Sequence, residues 1–446
     1  MFEETIVDQN PHWSGGTYIE GVPRKILNKV IDYLDLPHII SIVGVRRAGK
    51  STLIKQVINF LIQTKGIPPK NILFLNLETP QFSRYKTDVT YLERIYEDYL
   101  KLASPEGTVF CFLDEVQFFT EWQIFIKSRY EGKKIKFIVT GSNSRLLSSE
   151  FITLLSGRTL PLEVFPFSFE EFLTAKGLIV TDTVSLLKER HRVRQMMDEY
   201  LYFGGFPEPA FVTEQTTKKE ILVMYIRNIL YQDIAPRFTV KKPLELENLF
   251  FYLMSNISSF YTYNSLSKLV GLSDKTIKEY LSYFTEVYLL FTVDSFDFSV
   301  KQQIKSPKKV YAIDTGMVRA SSFSFSENIG HYLENLVFIE LKRKGKEIYY
   351  YKTANGLEVD FACKEGNRLT GLIQVSKEMQ TDKVRKRELK ALLKAMDETG
   401  LSQATIVTYE DEEKVQVEGK TVNIIPVHKY FGGKLSLKDH ISEERK

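Results

Sequence analysis

The stretch SIVGVRRAGKSTLIK, Ser41 to Lys55, constrains this chain more than any other. Gly44 and Gly49 bracket four residues, and Lys50 and Ser51 follow, giving the spacing G-x-x-x-x-G-K-S. Upstream, HIISIV is a short β-branched run suited to a buried parallel strand. Downstream, Leu53, Val57, Ile58 and Leu61 recur at helical spacing. Strand, glycine loop and helix in that order make a phosphate cradle, because backbone N–H groups of the loop and of the helix N-terminus converge on one point. The expected nucleotide contacts are Gly44, Val45, Arg46, Arg47, Ala48, Gly49, Lys50, Ser51 and Thr52. Lys50 is expected at the β- and γ-phosphates and Ser51 on magnesium, so the implied cofactors are ATP and Mg²⁺. Arg46 and Arg47 fill variable positions, with side chains either solvated, structural or turned to a neighbouring subunit.

A second signature is TVFCFLDEVQ, Thr108 to Gln117. Val109 to Leu113 read as another buried strand, with Asp114 and Glu115 at its carboxyl end, the edge where open α/β sheets bind ligands. Asp114 suits the metal ion, through water, and Glu115 suits orienting the attacking water. A third apolar strand, KFIVTGSNS, ends in Thr140, Ser142 and Asn143, and Ser142 is a candidate contact to the γ-phosphate or the lytic water. NILFLNLE supplies a further strand, and strands separated by helices predict an open, doubly wound parallel sheet.

At 446 residues two or three domains are expected. A formal charge of +4 is too small to prove a nucleic-acid partner. Cys111 and Cys363 lie far apart in apolar stretches, which predicts buried thiols in a reducing compartment with no disulfide framework or zinc cluster. MFEETIVDQNPHW lacks the basic start and apolar core of a signal peptide, and no apolar run approaches about 18 residues. A cytoplasmic protein without a membrane span is expected.

GVRRAGKST, FLDEVQ, VTGSNSRLLS, LSGRTLPLEVFPFSFEEFL and YLYFGGFPE resemble the AAA-type ATP-binding proteins that carry a C-terminal domain of uncertain function, relatives of the archaeal ATPases. The resemblance spans nearly the whole chain and is specific at the ATPase motifs, looser afterwards. It implies an α/β fold: an additional-strand P-loop NTPase core over 1–170, then a helical lid over 171–240. It also implies ATPase activity and a homo-oligomer, of which a ring is one form. Arg158 in LSGRTLPL becomes a candidate to stabilise charge on a γ-phosphate, its own or a neighbour's. Equally it can pair with Glu163 or Glu170. Arg145 and Arg129 are weaker candidates.

Within 241–322, YNSLSKLVGLSDKTIKEYLSYF reads as helix, glycine turn and helix, with Ser273 as N-cap and Ile277, Leu281 and Phe284 on the inner face. FTVDSF and KKVYAI can add a β-wing, making a winged helix-turn-helix. The exposed face at Lys275, Thr276 and Lys278 would then meet DNA; the alternative is a protein-contact module. Over 323–446, a helix and two strands carrying Glu334, Asp360 and Gln374 resemble the core of the PD-(D/E)XK nuclease fold. Alternation puts Glu358 with Asp360, and Gln374 with Ser376. The family pattern wants an acid at 374 and a lysine at 376; glutamine and serine stand there, and Lys377 is out of phase. The resemblance therefore implies a degenerate nuclease-like domain kept for DNA binding or assembly, rather than an active nuclease. The leading reading is an ATPase that binds and remodels or translocates duplex or branched DNA. The alternatives are a nucleotide-gated switch controlling protein assembly and an ATP-controlled nuclease.

Overall fold

A computed structural model describes residues 2–132, 134–144, 155, 157–297, 299–321, 329–366 and 368–431. Arg145 lies outside these. The chain divides into two compact units, 1–165 with 286–288, and 166–285 with 289–446.

The first unit is built on five parallel strands: β1 (Ile39–Val43), β2 (Ile72–Asn76), β3 (Val109–Asp114), β4 (Ile135–Gly141) and β5 (Thr159–Glu163). Their order is β2-β3-β4-β1-β5. β1 is buried along its whole length, as a strand covered on both faces must be. The strand inserted between β1 and β3 is β4, while NILFLNLE, as β2, goes to the edge. An edge strand presents unpaired backbone groups that need covering. Here side chains of the N-terminal segment do it. Asn10 exchanges two hydrogen bonds with the backbone of Phe74, Gln9 accepts from the Asn76 N–H, and Trp13 donates to the Ile72 carbonyl.

The second unit begins with helices, among them Phe169–Ala175, Arg190–Phe203, Gln215–Asn228 and Pro243–Ser255. A three-stranded antiparallel sheet follows, β6 (Phe260–Tyr261), β7 (Leu290–Val293) and β8 (Lys308–Ala312), in the order β6-β8-β7. Between β6 and β7 lie helices Tyr263–Val270 and Asp274–Glu286. Gly271 ends the first of these at φ 69°, and the Ser273 hydroxyl accepts from the Thr276 N–H at the start of the second. Ile277, Leu281 and Phe284 are buried, and Lys275 and Lys278 are exposed.

Helix Ile329–Arg343 leads into a six-stranded mixed sheet: β9 (Glu347–Lys352), β10 (Glu358–Glu365), β11 (Arg368–Ser376), β12 (Gln403–Thr408), β13 (Glu413–Val417) and β14 (Lys420–Pro426), ordered β13-β14-β12-β11-β10-β9. β9, β10 and β11 are antiparallel neighbours, and β11, β12 and β14 run parallel. Helix Asp382–Thr399 crosses between β11 and β12, and its Leu392, Ala395 and Met396 pack on Val359, Leu372, Ile406 and Ile424. The whole is an α/β architecture. Both cysteines are buried free thiols, and no helix among the described residues is long and apolar enough to cross a membrane.

The paired glycines after helix Arg190–Phe203 have a specific cause. Gly204 adopts φ 72° and ψ −164°, a region essentially open only to glycine. A Cβ there would stand 1.9 Å from Asp314 Oδ1, while Asp314 Oδ2 accepts from the Gly205 N–H at 2.7 Å. Gly204→Ala is expected to cost at least about 2 kcal/mol, from backbone strain and the clash together. A urea titration followed by circular dichroism, with an unchanged midpoint, would refute this.

Candidate functional site

The carboxyl ends of β1, β3 and β4 meet around the glycine loop. Gly44 has φ 149°, and a Cβ on it would lie 2.1 Å from the Val164 carbonyl, so no other residue fits. Gly49, at φ 97°, turns the chain into helix Lys50–Gln63, whose first turn has no side-chain cap. Uncapped N–H groups at a helix start are donors in want of an anion. Val45 and Ala48 are fully buried, so their side chains hold the loop in the core and only their backbone can face a phosphate. Arg47 is exposed, at φ 69°. Arg46 forms an ion pair with Glu78, just beyond β2.

Lys50 is 3% exposed; its ammonium donates to the carbonyls of Gly44 (3.0 Å) and Val45 (3.3 Å) and lies 3.4 Å from Glu115. Burying an ammonium is costly unless acceptors surround it, and this lysine has three. Asp114 accepts from the hydroxyls of Ser51 and Thr140. Burial, and then the neighbouring Glu115 charge, raise its pKa. Burial pushes Glu115 the same way, but Lys50, Gln117 and Arg46 outweigh it and lower its pKa. Glu115 is held at φ 56°, with its N–H donating to Thr140 Oγ1 at 2.9 Å. Gln117 Nε2 donates to both Glu115 and Ser142, 2.5 and 3.2 Å away. Among the described residues Gln117 Oε1 is a buried oxygen without a partner. The residues fit a magnesium nucleotide: an uncapped helix start and an ammonium for phosphate, and a hydroxyl and a carboxylate already in contact for a hard cation.

Arg158 is exposed and sits just before β5, its carbonyl accepting from the Ile39 N–H at the start of β1. That is the end of the strands opposite the glycine loop. Its guanidinium lies over the Tyr130 ring, 5.1 Å from the centroid. Arg129 forms a two-nitrogen pair with Glu93. Sequence reasoning missed Arg24, which is buried and donates to the carbonyls of Ala48 (2.7 Å) and Phe165 (2.6 Å), tying the loop to the chain beyond β5. A lone arginine in GVPRK carries no pattern that would reveal this.

In the second unit Glu334, Glu358 and Asp360 converge as the sequence suggests, with Gln374 beside them. At their centre is a group the sequence did not reveal, the ammonium of Lys309 on β8, at 2.9 Å from Glu334, 2.5 Å from Glu358 and 3.2 Å from Asp360. Tyr311, two residues along the same strand, donates to Glu334 at 2.6 Å. Burial opposes the Lys309 charge, but the three carboxylates outweigh it and raise its pKa. Burial, and then Asp360, push Glu334 up to about 8. Gln374 accepts from the Asp360 N–H and donates to Glu388 at 2.8 Å. Ser376 donates to the Glu378 carbonyl, and Lys377 is exposed. Lys275, Thr276 and Lys278 share one helix, with the Lys278 ammonium 4.9 Å from the Tyr263 ring centroid.

Comparison with known proteins matches residues 37–173 to a family described as AAA domain, 194–327 to domain of unknown function DUF8612, and 329–430 to domain of unknown function DUF4143. The chain is 34% identical to the uncharacterized protein MJ1544 of Methanocaldococcus jannaschii, over 96% of this chain and 95% of that one. It is 31% identical to an uncharacterized protein of Haemophilus influenzae, over 78% and 84%. Among solved structures, Aeropyrum pernix Orc1 in complex with DNA matches at 14% identity and TM-score 0.31, covering 66% of this chain and 90% of that one.

Thr140→Val is expected to lower stability by about 1–3 kcal/mol, because one hydroxyl serves both the Asp114 carboxylate and the Glu115 N–H, and valine leaves that N–H without its acceptor and Asp114 with one hydroxyl donor fewer. Thr140→Ser should retain both bonds. Equal urea midpoints for the valine and serine variants would refute the assignment.

Proposed function

This chain belongs to the family of the Methanocaldococcus jannaschii protein MJ1544, and we propose that it is a Mg-ATP-hydrolysing AAA-type ATPase whose turnover is coupled to binding and remodelling or translocating DNA. The observation that carries the ATPase reading is the convergence of Lys50, Ser51, Asp114 and Glu115 on one uncapped helix start. Backbone N–H groups of 44–52 hold the phosphates, and the Lys50 ammonium leaves its loop carbonyls to neutralise the β- and γ-oxygens. Ser51 and Asp114 would hold magnesium, which would withdraw charge from the phosphoryl oxygens. Glu115, ionised and fixed by Thr140 and Gln117, orients the attacking water, and Gln117 links it to Ser142, the candidate contact to the γ-phosphate or that water. Arg158 stands at the strand end remote from its own glycine loop, which favours action on a neighbour's nucleotide in a homo-oligomer such as a ring. Two buried free thiols agree with a cytoplasmic protein.

The DNA reading rests on the exposed lysines of helix Asp274–Glu286, which present two cations beside an N-terminus that a groove can admit. Such contacts are mostly to phosphate and weaken steeply with salt.

Lys50→Ala should abolish hydrolysis. Glu115→Gln should keep ATP binding and slow turnover about 100-fold or more; phosphate release at the parental rate would refute the role of Glu115. Replacing Lys275 and Lys278 by alanine should weaken DNA binding on every sequence and reduce the slope of log affinity against log salt by about 2. An ATPase rate unmoved by single-stranded, duplex and four-way-junction DNA, with no retention on DNA at low salt, would overturn the DNA reading and leave a nucleotide-gated switch.

A further inference from the structure

We propose that Lys309 is the resident cation of the carboxylate cluster in the second unit, an ammonium tethered to β8 that fills the position a divalent metal would need and keeps the cluster closed to free Mg²⁺ or Mn²⁺. Three carboxylates reach this point from two elements, Glu334 from helix Ile329–Arg343, and Glu358 and Asp360 from β10. An ammonium has three N–H donors. Lys309 has three carboxylate oxygens within 2.5–3.2 Å, so its donors are fully used. It is 3% exposed, a degree of burial that lysine tolerates only when paired.

Two further donors also engage the cluster. Asp360 Oδ2 accepts from the Val375 N–H at 2.9 Å, and Tyr311 donates to the same Glu334 oxygen as Lys309. Where a further ligand would be useful stands Gln374, a neutral amide whose oxygen takes the Asp360 N–H and whose nitrogen serves Glu388. A divalent ion would need these carboxylate oxygens at about 2.0–2.6 Å. It would then lie against the ammonium, and two cations at that separation repel.

Access is not what closes the cluster. A cavity of about 560 Å³ is lined by Glu334, Glu358, Asp360 and Gln374 themselves. Ions can approach, and the tethered charge is what excludes them. The same contact joins the three-stranded sheet to the six-stranded one, so the cluster becomes a structural latch whose role in binding DNA or a partner is independent of metal. None of this depends on the ATPase reading.

The test is Mn²⁺ titration of the nucleotide-free full-length chain, read by electron paramagnetic resonance, for the wild type, Glu358→Gln, Lys309→Ala and the double variant. Glu358 is the most exposed of the three acids, at 31%, and the most tolerant of change. Wild type and Glu358→Gln are expected to give superimposable curves. Lys309→Ala should gain a site at least tenfold tighter than any the wild type shows, and the double variant should lose it. A wild-type site that disappears in Glu358→Gln would overturn the proposal, as would a folded Lys309→Ala chain that gains nothing. If Lys309→Ala does not fold, melting of the wild type in EDTA and in Mn²⁺ decides. Equal melting temperatures support the tethered cation, and an EDTA-induced fall that Glu358→Gln abolishes overturns it.

Discussion

The ammonium of Lys50, buried beside Glu115, is the contact on which the first unit's geometry depends. Removing that charge from water is tolerable only because two loop carbonyls and a carboxylate receive it. Those acceptors belong to different parts of the chain: the loop after β1 and the residue after β3. To meet, β1 and β3 must end level, and β4 must lie between them with Thr140 reaching across to Asp114 and Glu115. Gly44, pressed against Val164, and Arg24, clamped to Ala48 and Phe165, keep the loop in that position. The site is therefore held by contacts within the protein itself, a preorganised arrangement of the kind that the proposed nucleotide chemistry needs.

The second unit uses a buried lysine differently. Lys50 has two neutral carbonyls and one carboxylate as acceptors, and carbonyls are weaker partners for an ammonium than charged oxygens. Lys309 faces three carboxylates at once and has nothing better to move to. The same side chain is poised in one setting and locked in the other, and the number of facing charges decides which.

The glycine loop, the acidic pair and the burial of Ile277, Leu281 and Phe284 were legible because each depends on residues a few positions apart, where spacing fixes direction. Glu334, Glu358 and Asp360 were legible as a set through strand alternation and the resemblance to a nuclease fold. Lys309 was not. KKVYAI reads only as a strand, and its lysine meets Glu334 and Asp360 across 25 and 51 positions. Arg24 binds Phe165 across 141. The side chains that cover the edge of β2 come from a segment whose composition gave no sign of structure.

The spacing of the glycine loop, the adjacent acids at the end of β3 and the α/β character of the chain can be read along the sequence, because each follows from local periodicity and from residues a few positions apart. Folding in three dimensions settles which strand parts β1 from β3, that Arg46 pairs with Glu78, and that Arg158 lies at the strand end remote from its own loop. It also decided that a lysine occupies the centre of the carboxylate cluster. Each of these is a choice of partner between distant segments, settled by burial and charge balance in three dimensions, and no spacing along the chain records it.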